Sequence, residues 1–258
     1  MPIWTDHSLA ALPSKHGVRL RGLAMTRLET FCDAAFAFAV TLLVIAGEGI
    51  PGSYDELITA LKGTPAFAAS FAIIAAFWAS HRRWSRRYGL EDPTSTLITL
   101  GLIFVMLVYV YPLKMVMSAF FAWVSGHWLP TTFTLISGAE LRGLFIIYGV
   151  GGFAQTGLVT LLYLRVLRAA PQLHLDAVEI LRTREEIVRF TVVAATCMVL
   201  VLWAALMPLH LAVFAGFVYM TFGFSIPAVA ITFARRVEQL QTGGTAPADR
   251  QSSAPPAR

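Results

Sequence analysis

One apolar run near the start of the chain, Phe31 to Ala46, constrains the fold more than any other feature. With its flanks, from Thr26 to Gly47, it approaches the ~20 residues that a helix needs to cross the core of a bilayer. Thr26 and Glu29 stand at the spacing of a capping box, which predicts a helix start there. The run contains one carboxylate, Asp33, and a charge at the centre of a membrane helix costs about 2.5–3.5 kcal/mol. We therefore predict a spanning helix whose Asp33 is paired or used.

Composition indicates a polytopic membrane protein. Of the 258 residues, 57% are hydrophobic and only 14% are charged, which excludes an ordinary soluble domain. The net charge of +5 does not indicate nucleic-acid binding, because the basic residues lie in short blocks between apolar runs. Cys32 and Cys197, the only cysteines, lie in apolar runs, which predicts buried thiols and neither a disulfide framework nor a cysteine metal site. The first run carries Arg27 and Asp33, so we expect no cleaved signal peptide.

Five further apolar runs predict a six-span, all-α integral membrane protein. After the first span they cover roughly residues 64–82, 93–120, 141–166, 187–207 and 210–234. Thr64-Pro65 and Asp92-Pro93 mark the starts of the second and third spans. Thr183 and Glu186 form a capping-box pattern before the fifth. The glycine-rich stretch GVGGFAQTG in the fourth span predicts close helix packing.

The segments around these spans have weaker patterns. Residues 48–63 indicate an acidic loop, and residues 121–140 indicate an interfacial loop or an extension of the third span. Pro112 with Lys114 indicates a kink or an end in that span. We divide the chain into an N-terminal arm (1–25), loosely ordered or with a short interfacial helix, a six-span domain (26–236) and a disordered low-complexity tail (237–258).

The basic residues predict the orientation in the membrane. All but three of the 20 Lys and Arg residues lie on the side of the two termini, the exceptions being Lys62, Lys114 and Arg142. The positive-inside rule then predicts an inner-membrane protein with both termini in the cytoplasm. A block of four arginines beside aromatic residues is predicted to form a basic loop after the second span and is typical of a topology signal, with contact to anionic lipid as a compatible role. Its members are Arg82, Arg83, Arg86 and Arg87.

Patterns of catalytic chemistry are absent from the sequence. It has no nucleophile elbow, no His-Glu-x-x-His metal motif and no phosphate-binding glycine loop, so we expect neither an enzyme nor a cofactor. The TVGYG-like loop that forms one kind of potassium filter is also missing. The residues alone leave a channel, a secondary transporter and a non-conducting membrane protein open, although we find no clear internal repeat of the kind that transporters carry.

The start of the first span carries a recognisable signature. Arg27-Leu-Glu-Thr-Phe31-Cys32-Asp33, followed by AAFAFAVTLLV, resembles the Arg-x-x-x-Phe-Ser-Asp pattern of the transmembrane protein 175 family, the lysosomal potassium channel and its prokaryotic relatives. Phe77-Trp78 and His81 in the second span and Tyr111-Pro112 in the third are similar to further positions of that family. The resemblance covers roughly residues 25–115 well and the later spans only by number and topology.

The resemblance implies a homotetramer with a central pore lined by the first helix of each subunit, through which K⁺ passes passively and in preference to Na⁺. It implies Phe38, Thr41 and Ile45 as pore-lining positions. It also implies a network that supports the pore, formed by Arg27, Phe31, Cys32, Asp33, Trp78 and His81. No metal beyond transient K⁺ is expected. The chain departs from the family at Cys32, where Ser is usual, and at Gly101, near which many members carry Asn.

Helix geometry gives these positions different roles. At about 100° per residue, Phe38, Thr41 and Ile45 lie within roughly 60° of one another on one stripe. Asp33 lies about 80–140° from this stripe by the same geometry, so we expect it to face neighbouring helices, with His81, Trp78 or Arg27 as its partner. Rings of Phe and Ile would gate by dewetting, and a layer of Thr hydroxyls would partly replace an ion's hydration shell.

Overall fold

Long α-helices make up most of the chain. The computed structural model describes residues 6–45, 50–131 and 137–243. The helices are α1 (Asp6–Ala10), α2 (Arg27–Ile45), α3 (Tyr54–Lys62), α4 (Thr64–Tyr88), α5 (Pro93–Val124), α6 (Gly138–Arg168), α7 (Ala177–Leu206), α8 (Leu209–Ala212) and α9 (Phe222–Gly243). A 3-10 helix over Val213–Thr221 joins α8 to α9, and two short strands, β1 (Ser14–Lys15) and β2 (Val18–Arg19), precede α2.

Six helical segments in the described ranges are long and apolar enough to cross a membrane. They are α2, α4, α5, α6, α7 and the segment Leu209–Leu240, which contains α8, the 3-10 helix and most of α9. The six-span, all-α prediction is confirmed. α2 packs against α4 and α5, α5 against α6, α6 against α7, and α9 against α7. α2 therefore lies at one side of the bundle, with its other face left open by the rest of the described chain.

The second span extends beyond its predicted end near residue 82. α4 continues to Tyr88 and stops where Gly89, at a φ of 57°, forms a left-handed cap whose N–H donates to the Ser85 carbonyl. His81, Trp84 and Tyr88 are all buried, at helical spacings of three and four residues. Because these side chains pack into the bundle, the helix persists through the basic block, and the four arginines lie in the last turns of a helix and not in a loop.

The predicted start of the fifth span is wrong. α7 begins at Ala177, capped by Asp176, whose Oδ1 accepts from the Glu179 N–H at 2.8 Å while Glu179 Oε2 accepts from the Asp176 N–H at 3.1 Å. This pair has the same spacing as Thr183 and Glu186 but stands earlier in the chain, and it makes both bonds of a capping box. Thr183 and Glu186 lie inside the helix, where both are buried.

Two other connections differ in part from the sequence prediction. Residues 54–62 of the predicted acidic loop form α3, capped by the Ser53 hydroxyl, which accepts from the Glu56 N–H at 3.2 Å. Residues 46–49 lie outside the described ranges. α5 runs through Pro112 to Val124, so Pro112 does not end the third span. The predicted span-three extension therefore covers only the first residues of 121–140, and residues 132–136 lie outside the described ranges.

The described part of the arm contains a short helix, α1, which was one of the two expectations, and also a hairpin that the sequence did not predict. In the arm, His16 and Gly17, both at positive φ, form the two-residue turn of a hairpin in which Ser14 pairs with Arg19. Val18 of this hairpin is fully buried, and β2 contacts α7. At the other end α9 continues past residue 236 to Gly243. Residues 244–258, most of the predicted disordered tail, lie outside the described ranges.

The glycine-rich stretch of the fourth span permits close helix approach, as predicted. A Cβ atom on Gly149 would lie 2.6 Å from side-chain atoms of both Leu200 and Val201 on α7. A Cβ atom on Gly151 would overlap the ring of Tyr109 on α5. Gly157, by contrast, has open space where its side chain would be. α6 therefore touches α5 and α7 through the missing side chains of particular glycines.

We expect Gly149→Ala to lower the free energy of unfolding by about 1–3 kcal/mol, because the added methyl group must displace α7 or its side chains. Gly157→Ala is the matched control and should be neutral or stabilising by up to about 1 kcal/mol, since alanine is the better helix former. The measurement is the unfolding midpoint of the purified protein in detergent. Equal midpoints for the two variants would contradict close packing at Gly149.

Candidate functional site

The start of α2 is held by the reciprocal bonds that its sequence predicts. The Glu29 N–H donates to Thr26 Oγ1 at 3.1 Å, and the Thr26 N–H donates to Glu29 Oε2 at 3.2 Å. The other oxygen of the same carboxylate, Oε1, accepts from the Ser85 hydroxyl of α4 at 2.6 Å. The capping box is confirmed, and Glu29 also ties the first turn of α2 to the end of α4. Sequence reasoning missed Ser85.

Asp33 bonds to Trp78, one of the three partners that the sequence left open. Trp78 Nε1 donates to Asp33 Oδ1 at 2.8 Å and so links α2 to α4. The guanidinium of Arg82 stacks over the same indole, 5.3 Å from the ring centroid. A carboxylate that accepts a hydrogen bond from a neighbouring helix is less costly in a membrane than an unpaired one. Asp33 therefore binds α2 to its neighbour, on the side away from the proposed pore stripe.

Cys32 begins a buried hydrogen-bonded chain through three helices. Its sulfur lies 3.3 Å from His81 Nδ1 on α4, and His81 Nε2 lies 3.2 Å from Thr99 Oγ1 on α5. All three side chains are buried. Cys32 and Thr99 therefore satisfy the two ring nitrogens of His81 inside the bundle, even though Cys is a weaker hydrogen-bonding group than Ser.

Thr99 was not identified from the sequence. It lies on the buried face of α5, four residues after Ser95 and three before Leu102. A threonine on the buried face of an otherwise apolar span is the signal that could have found it. The family often carries Asn near Gly101. A Cβ atom on Gly101 would lie 3.6 Å from the Leu158 side chain of α6, an ordinary van der Waals distance.

Arg27 and Phe31 are not part of these contacts within the chain. Both side chains are exposed, and neither makes a hydrogen bond or an ion pair to any residue that the structure describes. Of the six residues predicted to support the pore, the structure thus brings together Cys32, Asp33, Trp78 and His81.

The two faces of α2 differ sharply in burial. Cys32, Phe36, Ala39 and Leu43, which recur at helical spacing, are buried against α4 and α5. Side chains on the other face are uncovered in the single chain, and the proposed pore stripe lies there. Phe38 is 54% exposed, Ile45 is 69% exposed and Thr41 is exposed as well. The Thr41 hydroxyl donates to the Ala37 carbonyl at 3.1 Å.

The far end of α2 is held from the third span. Lys114 Nζ of α5 donates to the carbonyl of Leu43 at 3.2 Å. The last carbonyls of a helix have no partner within it and carry the negative end of the helix dipole, so an ammonium group is favourable there. α2 is therefore bonded to its neighbours at its start, in its middle and near its end. Tyr111, which precedes Pro112, is half exposed.

The four arginines at the end of α4 differ in their surroundings: two bond to other parts of the chain and two are exposed. Arg86 Nη1 donates to the carbonyls of Gly22 at 3.2 Å and Leu23 at 2.9 Å, and Arg87 Nη1 lies 3.4 Å from Glu186 Oε1 of α7. Arg82 and Arg83 are exposed. In the described part of the chain, no group of three or more His, Cys, Asp or Glu side chains is placed to hold a metal ion.

Comparisons with known proteins show the family of this chain. A family model described as "Endosomal/lysosomal potassium channel TMEM175" matches residues 27–112, which include the signature and the proposed pore stripe. A potassium channel of Marivirga tractuosa is 35% identical over 174 residues, which cover 65% of this chain and 70% of that protein. A crystal structure of a variant of the potassium channel MtTMEM175, in complex with a nanobody–MBP fusion protein, has a TM-score of 0.74 and 29% identity, covering 88% of this chain and 99% of that chain. The chain belongs to the TMEM175 family of potassium channels, and is thus a multi-span membrane protein of a channel family and not an enzyme.

Proposed function

We propose that four copies of this chain form a homotetramer that conducts K⁺ passively through a central pore lined by Phe38, Thr41 and Ile45 of α2. The observation that carries this proposal is the uncovered stripe on α2. The opposite face of the helix is buried, and two polar contacts to α4, from Cys32 and Asp33, fix its rotation, so the stripe is available to line a shared axis. The similarity to proteins named potassium channels supports K⁺ as the permeant ion.

The chemistry of the stripe suggests how such a pore would work. Rings of Phe38 and Ile45 would form apolar constrictions, which close to ions when they lose water. The ring of Thr41 hydroxyls between them would offer oxygen atoms to an ion that has shed part of its hydration shell. K⁺ is larger than Na⁺ and loses water more cheaply, so a narrow apolar pore favours it. K⁺ would be bound only in transit, and the proposal requires no cofactor.

The signature residues are proposed to position the pore helix and not to contact ions. The Asp33–Trp78 bond and the chain from Cys32 through His81 to Thr99 attach α2 to both α4 and α5. Arg27 and Phe31, exposed in the single chain, would complete the network through a neighbouring subunit.

The orientation follows from the charge distribution. We propose that the protein lies in the inner membrane. Its arm (1–25) precedes the six-span domain (26–236) in the sequence, its tail (237–258) follows that domain, and both the arm and the tail lie in the cytoplasm. The concentration of Lys and Arg on the side of the termini supports this orientation.

We also propose that anionic lipid binds at the arginine block. Support is strongest for Arg82 and Arg83, which are both exposed. Arg82 also stacks over Trp78, an aromatic residue of the kind found at membrane interfaces. Arg86 and Arg87 would contribute charge while they stay bonded within the chain.

The channel proposal is tested by ion flux into proteoliposomes that contain the purified protein, with K⁺ and Na⁺ in parallel. K⁺ uptake should exceed Na⁺ uptake. Ile45→Asn should change the K⁺/Na⁺ ratio, because it replaces an apolar ring of the pore by a polar one. Val44→Asn makes the same chemical change at the neighbouring exposed position, about 100° around the helix, and should leave the ratio near that of the native chain.

Equal ratios in all three proteins would remove Ile45 from the pore. No flux of either ion under a gradient would instead favour a secondary transporter or a non-conducting membrane protein.

The network proposal predicts that Thr99→Val lowers the free energy of unfolding by about 1 kcal/mol, because it leaves a buried nitrogen of His81 without its partner. Thr232→Val is the control, since the exposed Thr232 hydroxyl donates only to the Ala228 carbonyl of its own helix. Unfolding midpoints in detergent measure both. A Thr99→Val protein as stable as the control would show that the bond to His81 does not hold the helices together.

The lipid proposal predicts that the double variant Arg82→Gln with Arg83→Gln binds phosphatidylglycerol at least roughly tenfold more weakly, since each basic side chain near an anionic surface contributes about 1 kcal/mol. Native mass spectrometry of the protein with phosphatidylglycerol counts the lipids retained. The control, Arg235→Gln with Arg236→Gln, removes the same charge from the exposed end of α9 and should have a smaller effect. A control effect as large as that of the test variant would argue for a general charge effect and against a site.

A further inference from the structure

The arm carries a fully buried ion pair that the channel signature does not include. Arg21 and Glu179 form two parallel hydrogen bonds of 2.8 Å each, and both side chains are inaccessible to solvent. The Glu179 carboxylate also accepts from the main-chain N–H groups of Arg19 at 2.8 Å and Asp176 at 3.1 Å. Arg21 Nε donates to the Leu173 carbonyl at 3.1 Å. Both charges are thus satisfied inside the protein, which fixes the arm on the start of α7.

The same arm caps the end of α4. The Arg21 N–H donates to the Arg87 carbonyl at 3.3 Å, and the Gly22 N–H donates to the Arg86 carbonyl at 3.1 Å. These carbonyls belong to the last turn of α4 and have no partner within their own helix. The approach is so close that a Cβ atom on Gly22 would overlap the Ser85 carbonyl oxygen. The arm therefore replaces the missing helical donors of α4.

The end of α4 in turn holds the start of α2. The Ser85 hydroxyl donates to Glu29 at 2.6 Å, and Arg86 donates to the carbonyl of Leu23, in the short link between the arm and α2. α4 is itself attached to α7 by the Arg87–Glu186 ion pair and by a 2.8 Å hydrogen bond between the hydroxyls of Tyr88 and Thr183. A continuous set of bonds thus runs from α7 through the arm and α4 to the first turn of α2.

We propose that Arg21 and Glu179 are positioning residues for conduction: they hold the arm between α7 and α4 and thereby fix the cytoplasmic end of the pore helix α2. Breaking the pair would free the arm, uncap α4 and let the first turn of α2 move relative to the bundle. Because the pore stripe is part of the same rigid helix, such movement would change the width of the pore. The expected change in ion flux rests on the proposed channel function. The expected movement of the arm and of the first turn of α2 is measured separately, by hydrogen exchange.

The test compares the native chain with Arg21→Gln, and with Lys15→Gln as the matched control. Lys15 lies in β1 of the same arm, is exposed and forms no ion pair within the described part of the chain, so its substitution removes the same charge without touching Glu179. Hydrogen exchange of the protein in nanodiscs reports on the arm amides at 21 and 22 and, separately, on the first turn of α2. Flux of K⁺ and Na⁺ into proteoliposomes reports on conduction, and the elution volume in detergent reports on assembly.

We expect Arg21→Gln to speed exchange at the arm amides by at least about tenfold, because they lose their bonds through local opening. Exchange in the first turn of α2 should also rise, and K⁺ flux should change by about threefold or more in either direction as the population of α2 positions shifts. Lys15→Gln should resemble the native chain in exchange at the arm, exchange at α2 and flux. Faster arm exchange with unchanged exchange at α2 and unchanged flux would overturn the proposal.

A second variant covers the case in which Arg21→Gln does not fold because Glu179 is left buried and unpaired. Gly22→Ala keeps both charges but forces the arm away from Ser85, and the same exchange and flux results are expected of it. Unchanged arm exchange in Gly22→Ala would overturn the proposal. If the native chain shows no flux, the channel proposal fails. Hydrogen exchange in the first turn of α2 then still tests whether Arg21 and Glu179 fix the position of α2.

Discussion

The need to satisfy polar groups inside the bilayer governs the position of the pore helix. Asp33 of α2 is exposed in the single chain and lies beside α4, whereas the Cys32 thiol is buried, and the hydrocarbon of a bilayer offers water to neither. Asp33 therefore takes the indole N–H of Trp78, and Cys32 contacts His81, which Thr99 supports from a third helix. Because an α-helix turns by about 100° per residue, fixing two adjacent residues fixes the direction of every other side chain on it. Two polar contacts thus decide which apolar residues face away from the bundle.

This constraint explains how an almost uniformly apolar helix acquires two faces. By sequence alone Phe36 and Phe38 are equivalent, as are Leu43 and Ile45. In the structure Phe36 and Leu43 are buried against α4 and α5, whereas Phe38 and Ile45 are exposed. The hydrophobic effect does not separate them, since lipid is as apolar as the protein interior. The contacts of the polar residues at the start of the helix make the distinction, and these residues lie outside the proposed stripe.

At the end of the bundle that holds the arm, the unpaired carbonyls at the end of α4 need partners. Main-chain donors of the arm satisfy two of them, and a buried ion pair with Glu179 of α7 holds the arm in place. A buried ion pair is costly unless every lone pair and proton has a partner, and here Glu179 accepts bonds from three residues. Arg21 and Glu179 both lie outside residues 27–112, the part of the chain that matches the family model. The start of α2 and the arm are thus held by separate sets of contacts, and both sets include Ser85, whose hydroxyl bonds to Glu29 and whose carbonyl lies against Gly22.

Local patterns in the sequence indicated the class of protein, the six spans and the capped start of α2, because each depends on neighbouring residues or on the helical repeat, whereas the candidate stripe came from the family resemblance. The extension of α4 through the arginine block depended on the burial of Trp84 and Tyr88, which only packing reveals. Two patterns of equal spacing competed for the start of α7, and only the fold shows that Thr183 and Glu186 lie buried inside the helix while Asp176 and Glu179 cap it. The choice of Trp78 as the partner of Asp33, and the roles of Thr99 and Ser85, required contacts between residues far apart in the chain. The pairing of Arg21 with Glu179 lies furthest from prediction, because 158 residues separate the two charges and nothing in the local sequence of either distinguishes them from other basic and acidic residues. Only the tertiary structure decided these contacts, because the energy of a buried polar group depends on which partner the fold brings to it.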